Sequence, residues 1–281
     1  MSETNGNSKN RLHGLWALTN RELKKWYKAP VIFILSIIQP IIWMGLLGKA
    51  MNISALIPTN IPGLDVKTVM KASLGTSDYF SFMAVGMIGM TALFTTMFSG
   101  MSVVWDRRLG FLNKVLSTPV SRGVIIFSKV LSSTLRSMFQ AGIIIVIAVA
   151  FGLQFGISFN LLNLLGVFAV MFLLCVGLSS AFIAITIRST RMETPMAVMN
   201  LISLPMMFAS NAMFPSKLMP DWLQPVVLVN PLSYTNDAVR QLLLFDTIDY
   251  TQLAMDFAYV GVFAVIVAAI GIVLSWRFLS K

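Results

Sequence analysis

Residues 79–122 read YFSFMAVGMIGMTALFTTMFSGMSVVWDRRLGFLNKVLSTPVSR, and the reading of this stretch decides the fold. From Tyr79 to Trp105 it contains no Asp, Glu, Lys or Arg. Such a run exceeds the roughly 20 residues that an α-helix needs to cross a bilayer. Asp106, Arg107, Arg108, Lys114 and Arg122 follow at once, the pattern of a chain leaving hydrocarbon for water.

Five further uncharged stretches repeat the signal: Val31–Leu47, Ser137–Leu153, Leu161–Ile187, Thr194–Met213 and Phe257–Trp276. The expected fold is therefore all-α, a polytopic membrane protein with six transmembrane helices. Of the 281 residues, 57% are hydrophobic and only 11% charged; a soluble domain carries about 25% charged residues. Disorder is excluded by that composition. The single cysteine, Cys175, excludes a disulfide scaffold, and with His13 as the single histidine there is no ligand set for a metal centre. The first stretch reads as a retained helix rather than a cleaved signal peptide, because a long basic segment precedes it and Gln39-Pro40 interrupt it.

The net charge of +10 sorts by side. With the N-terminus inside, segments 1–30, 106–136, 188–193 and 277–281 hold 16 of the 21 basic residues and only 4 of the 11 acidic ones. That asymmetry sets an N-in, C-in topology, with both termini cytoplasmic. The basic balance is then a topology signal and an inner-leaflet contact with membrane lipids, with no nucleic acid implied. Residues 1–30 form a cytoplasmic tail and an amphipathic helix, and 31–281 the membrane domain. Leu12, Leu15, Trp16, Thr19, Leu23, Trp26 and Tyr27 share one helical face opposite Arg21, Lys24, Lys25 and Lys28, as in a helix lying on the membrane surface. Residues 1–10 read as a polar tail.

The loop after the second stretch predicts a short crosswise helix. Phe111, Leu112, Val115 and Leu116 share a face between Gly110 and Ser117-Thr118-Pro119, and Thr118 and Pro119 are placed as N-cap and first residue of the next helix. On the other side, 51–78 reads as an irregular loop with a short helix near Val66–Leu74. Segment 214–256 carries Pro215, Pro220, Pro225 and Pro231 yet stays apolar over Trp222–Val229 and Tyr234–Phe245. It predicts two short helices dipping into the membrane and returning, cornered at Asn230-Pro231.

No phosphate-binding Gly-rich loop, nucleophile elbow or metal motif occurs. The six stretches hold no ionisable pair of the kind that couples transport to protons. Their uncharged polar residues serve interhelical hydrogen bonding or line a path through the bundle; the candidates for such a path are Gln39, Met87, Thr91, Thr95, Asn200 and Asn211. Methionine, 19 in all, is concentrated in the second and fifth stretches, a composition suited to adaptable packing or a tolerant apolar surface.

The run Trp105-Asp106-Arg107-Arg108-Leu109-Gly110-Phe111-Leu112, continuing to Val115-Leu116-Ser117-Thr118-Pro119-Val120-Ser121-Arg122, resembles the signature of ABC-2 type transporter permeases. A second match runs through Pro220-Asp221-Trp222-Leu223-Gln224 and Asn230-Pro231-Leu232-Ser233-Tyr234 to Asp237-Ala238-Val239-Arg240. In pattern the daunorubicin-resistance-type drug and lipid export branch is nearest, although Arg108 stands where that branch often has an acid. The resemblance implies a plasma-membrane permease subunit with no catalytic site and no cofactor of its own. ATP and magnesium would sit on a separate cytosolic ATPase subunit, and a second permease copy, identical or homologous, would complete the transporter. The crosswise helix would be the coupling helix: Phe111, Leu112, Val115 and Leu116 would pack on the ATPase, Arg107, Arg108, Lys114 and Arg122 would add polar contacts, and Gly110 and Pro119 would bound it. The N-terminal helix would be the elbow, and 214–256 an outer re-entrant hairpin between the fifth and sixth spans. The cargo implied is amphipathic, drug-like or lipid-like. A polysaccharide or glycolipid exporter of the same superfamily and a membrane-embedded lipid-modifying enzyme are the alternatives.

Overall fold

The computed structural model describes residues 3–50, 66–118 and 120–279, and these form helices, turns and loops without a strand. In chain order the α-helices are α1 (Glu3–Tyr27), α2 (Pro30–Trp43), α3 (Val66–Leu74), α4 (Tyr79–Arg108), α5 (Phe111–Leu116), α6 (Arg122–Ala150), α7 (Leu161–Thr186), α8 (Glu193–Phe208), α9 (Gln224–Val229), α10 (Pro231–Leu243) and α11 (Tyr250–Leu279). A π-helical segment, Met44–Ala50, continues α2. The polar residues after Glu3 belong to α1, where composition alone predicted a tail.

Helix α4 is the axle of the molecule. Asp78 caps it, accepting from the backbone N–H groups of Phe80 at 3.3 Å and Ser81 at 3.1 Å. It is buried on all sides along most of its length and packs against α2, α6, α7, α8 and α10. That explains its lack of an amphipathic stripe, since a helix surrounded by protein has no polar face to show. Gly86 is what permits the closest approach: a methyl group there would overlap the carbonyl of Ala212. Helices α7 and α11 pair along their length, and α10 wedges against α4, α7 and α11.

Among the described residues four helices are long and apolar enough to cross a membrane: α4, α6, α7 and Tyr250–Leu274 of α11. The first and fifth predicted stretches form shorter helices, each with an internal proline. Pro40 lies inside α2, whose apolar part with the π-helical segment is Phe33–Lys49. Pro205 lies inside α8, which ends at Phe208 instead of reaching Met213. The carbonyls exposed near that end are taken up by Asn230, whose Nδ2 donates to Met206 O and Ala209 O at 2.7 Å each. Asn230 also caps α10 by accepting from Leu232 N at 3.0 Å, so the corner between α9 and α10 falls where the sequence predicts it. The predicted helix at Val66–Leu74 is α3, and the loop 51–65 before it lies outside the described residues.

Gly86→Ala is expected to destabilise the detergent-extracted protein by about 1–3 kcal/mol, the usual cost of overpacking. Gly123→Ala, where nothing lies within 4 Å of the added methyl, is expected to be neutral or stabilising. The fraction that stays monodisperse on size-exclusion after graded heating separates the two.

Candidate functional site

A cleft of about 510 Å³ opens between α2, α4 and α8, closed at one end by α1 and α6. Most of its wall is apolar, with methionines from α4 and α8 facing Trp26, Trp43, Phe94, Phe98 and Trp105. Of the predicted path residues, Gln39, Met87, Thr91 and Thr95 meet in this wall. Asn200 does not join them and is exposed on α8. Asn211 is buried elsewhere, donating from Nδ2 to Asp237 Oδ1 at 2.6 Å.

Several polar groups of the cleft are already engaged within the bundle. Thr91 Oγ1 donates to Met87 O at 2.7 Å, within its own helix. Thr95 Oγ1 donates to Gln140 Oε1, Gln140 Nε2 to Ser36 Oγ at 2.5 Å, and Ser36 Oγ to Phe33 O at 2.7 Å. This relay ties α4, α6 and α2 together across the cleft.

At the closed end lies an ionic cluster that the charge count read only as topology. Glu22 of α1 and Asp106 of α4 are 3% and 2% exposed. Asp106 accepts from Lys129 and Lys25 at 2.6 Å each and from Arg21 at 3.3 Å. Glu22 accepts from Arg21 at 2.8 Å, Lys25 at 3.2 Å and Lys129 at 3.4 Å, and Arg136 stands 3.6 Å from its second oxygen. Arg136 also donates to the backbone carbonyl of Glu22. Four cations thus surround two carboxylates and join three helices.

The sequence reading places Lys129 and Arg136 in a cytoplasmic loop. The structure corrects this: α6 begins at Arg122, so they lie about two and about four turns into a helix and are buried there. The bundle therefore contains an ionisable cluster after all, at the helix ends beyond the uncharged stretches. The available signal was the isolation of the acids, since Glu22 and Asp106 are two of only four on the basic side.

The crosswise helix α5 exists, but its faces are apportioned differently from the prediction. Gly110 precedes it at φ 69°, a left-handed conformation in which a side chain is strained. Leu112 and Val115 turn inward and pack with Val103, Ile125, Ile183 and Ile187 of the same chain. The Arg21 guanidinium lies 3.2 Å above the Phe111 ring, and Leu116 is half-buried. What α5 and its entrance present outward is Leu109, 74% exposed, with Arg108, Asn113 and Lys114. Leu109 was absent from the predicted contacts. Arg107 and Arg122 are half-buried, and Pro119 lies outside the described residues. Thr118 does not cap the next helix; its hydroxyl donates to Val115 O at 2.6 Å and closes α5.

At the opposite end Arg240 of α10, 2% exposed, donates to the carbonyls of Asn211 at 2.6 Å, Ala212 at 3.2 Å and Phe82 at 3.3 Å, and stacks 3.6 Å over the Phe82 ring. Asp256 of α11 is fully buried and accepts from Gln252 at 2.8 Å and Gln241 at 3.3 Å. The sequence reading placed Asp256 in the loop before the last span, whereas the helix includes it. Nearby, hydrogen bonds from Lys71 and from the backbone N–H of Ile157 hold the Asp246 carboxyl below the usual carboxylate range.

The family model described as ABC-2 type transporter matches residues 13–244, which spans α1 to the end of α10. The chain is 29% identical over 229 residues to the ycf38 protein of Cyanophora paradoxa, named as a transport permease, covering 81% of this chain and 73% of that one. The ycf38 protein of Porphyra purpurea is 30% identical over 227 residues, covering 80% and 72%. The daunorubicin resistance ABC transporter permease protein DrrB1 of Streptomyces coeruleorubidus is 22% identical over 168 residues, covering 60% and 59%.

Removing Lys129 takes the donor from Asp106 Oδ2 while Lys25 and Arg21 still hold Oδ1, and leaving a buried acceptor unmatched costs about 1–3 kcal/mol. Lys129→Ala is expected to fall in that range and Arg21→Ala, whose side chain is 30% exposed, well below it. The double variant Asp106→Asn, Lys129→Met removes both charges and is expected to recover part of the loss. Thermal retention of monodisperse protein reads all three.

Proposed function

The chain belongs to the ABC-2 type transporter family and is a transmembrane permease subunit of an ABC transporter; from that premise we propose that it exports an amphipathic, drug-like or lipid-like molecule across the plasma membrane. ATP hydrolysis on a separate cytosolic subunit drives the cycle, and no nucleotide or magnesium is held by this chain. The cleft between α2, α4 and α8 carries this reading, because most of its wall is apolar and adaptable while its charged residues come from α1 and α6 alone.

In this reading there are six spans with both termini cytoplasmic. Helix α2 with its π-helical extension, and α8 with the turns that follow it, cross as kinked spans, which a bundle tolerates where neighbours satisfy the freed backbone groups. Helices α9 and α10 form the outer re-entrant hairpin, and α1 is the elbow on the inner leaflet. Exposed apolar side chains flank the cleft on α2 (Ile34, Ile38, Ile42) and on α8 (Leu201, Leu204, Phe208), and a second permease copy covers them.

Leu109, Arg108 and Lys114 form the seat for the ATPase. Because Leu112 and Val115 are rooted in the bundle and Phe111 is held by Arg21, a push on α5 passes to α1 and α4 rather than being absorbed locally. The ionic cluster then carries the displacement to Glu22, Lys25 and Arg136, which belong to the cleft wall.

Co-expression with a candidate ABC ATPase subunit tests the assignment. Leu109→Asp with Lys114→Glu is expected to cut co-purification of the ATPase by about tenfold or more, as loss of a central apolar anchor does, while the permease itself stays monodisperse. Leu112→Asp, by contrast, is expected to lower the yield of folded permease. Undiminished complex formation by the Leu109 variant overturns the seat, and failure of any candidate ATPase to bind overturns the exporter reading.

A further inference from the structure

We propose that the cleft takes an acidic lipid-like amphiphile, its anionic headgroup held by Arg136 and Lys25 at the closed end and its apolar chain lying along the methionine and aromatic wall. This rests on the export reading and names its substrate class. Charge in the cleft is confined to one end: Glu22, Lys25 and Arg136 are the charged residues in the wall, and the remainder is apolar or neutral. A ligand matching this distribution has one charged pole and a long uncharged body.

The sign of that pole follows from which hydrogen-bonding capacity is unused. Glu22 Oε1 takes donors from Arg21, Lys25 and Lys129, and the nearest cation to Oε2 is Arg136 at 3.6 Å. A cationic headgroup approaching Glu22 would meet these four cations as well as the carboxylate. The donors are in surplus, with four cations around two carboxylates. Arg136 is 9% exposed, its Nε has no hydrogen-bond partner, and its nearest carboxylate oxygen is 3.6 Å away, longer than a charge-assisted hydrogen bond. Its fork is suited to the paired oxygens of a phosphate or carboxylate. Lys25 is 42% exposed at the side chain and shared between Glu22 and Asp106, so it can turn toward a ligand while Arg21 and Lys129 still hold both acids.

Three of the six tryptophans, Trp26, Trp43 and Trp105, line the cleft and report on an occupant. The full chain, reconstituted in nanodiscs of neutral phosphatidylcholine, is titrated with brominated dodecyl phosphate and with brominated dodecyl trimethylammonium, whose bromine quenches indole fluorescence. The expected result is saturable quenching by the phosphate amphiphile at about tenfold lower concentration than by the ammonium, the scale of one hydrogen bond to a charged group. Trp43→Phe is expected to reduce the quenching. Lys25→Gln, at the half-exposed position, is expected to abolish the preference, and Arg136→Gln to do so wherever it folds. Equal, non-saturable or ammonium-selective quenching overturns the proposal, as does an unchanged preference in Lys25→Gln. Displacement of the amphiphile by an equal concentration of inorganic phosphate overturns the part played by the chain. The titration uses no ATPase, so loss of anion preference leaves the export reading standing, and failure to couple with an ATPase leaves the binding result standing.

Discussion

Two carboxylates buried among four cations hold the closed end of the molecule together, and the arrangement of everything near it follows from their desolvation. A buried carboxylate is tolerated only when its lone pairs are met by donors, so Glu22 and Asp106 oblige α1, α4 and α6 to meet in one register. That register places Arg21 over Phe111 and so positions α5. It also sets Trp26 and Arg136 at the end of the cleft lined by α1 and α6. The amphipathic N-terminal helix is thereby a structural member of the bundle, packed along α6 rather than simply resting on a membrane surface.

The other end of the bundle is organised by neutral and cationic donors that satisfy backbone carbonyls. Asn230 takes the carbonyls freed at the end of α8, and Arg240 takes those of Asn211, Ala212 and Phe82. Both serve residues 209–213, a buried stretch without regular helix just after α8. Irregular backbone inside a bundle needs such donors, because water is not there to supply them. Gly86 completes the arrangement by letting that segment lie directly on α4.

Much of this was legible in the residues. Uncharged runs located α4, α6, α7 and α11, and the proline pattern located α9, α10 and their corner. What misled was the use of charge as a boundary marker. Arg136, Asp106 and Asp256 look like loop residues because each lies just outside an apolar run, and Lys129 because it falls between two, yet all four are in helices and buried. Periodicity also identified the apolar face of α5 correctly but could not say what covers it. Leu112 and Val115 are covered by α4, α6 and the end of α7, information that exists only in three dimensions. The candidate path fared likewise: Gln39, Met87, Thr91 and Thr95 converge because α2 and α4 are neighbours, while Asn200 and Asn211 belong to other surroundings.

The division of α5 into an inner face rooted in the bundle and a thin outer strip has an evolutionary consequence. In the proposed docking arrangement, partner choice would rest on a few solvent-facing positions, Arg108, Leu109, Asn113 and Lys114, that contribute little to the core. Such positions can drift or be exchanged between paralogues without disturbing the permease, so one scaffold can be re-addressed to different motors. Gly110 keeps the strip aimed while its neighbours vary, because the left-handed turn it adopts is set by backbone geometry and not by the identity of the exposed side chains.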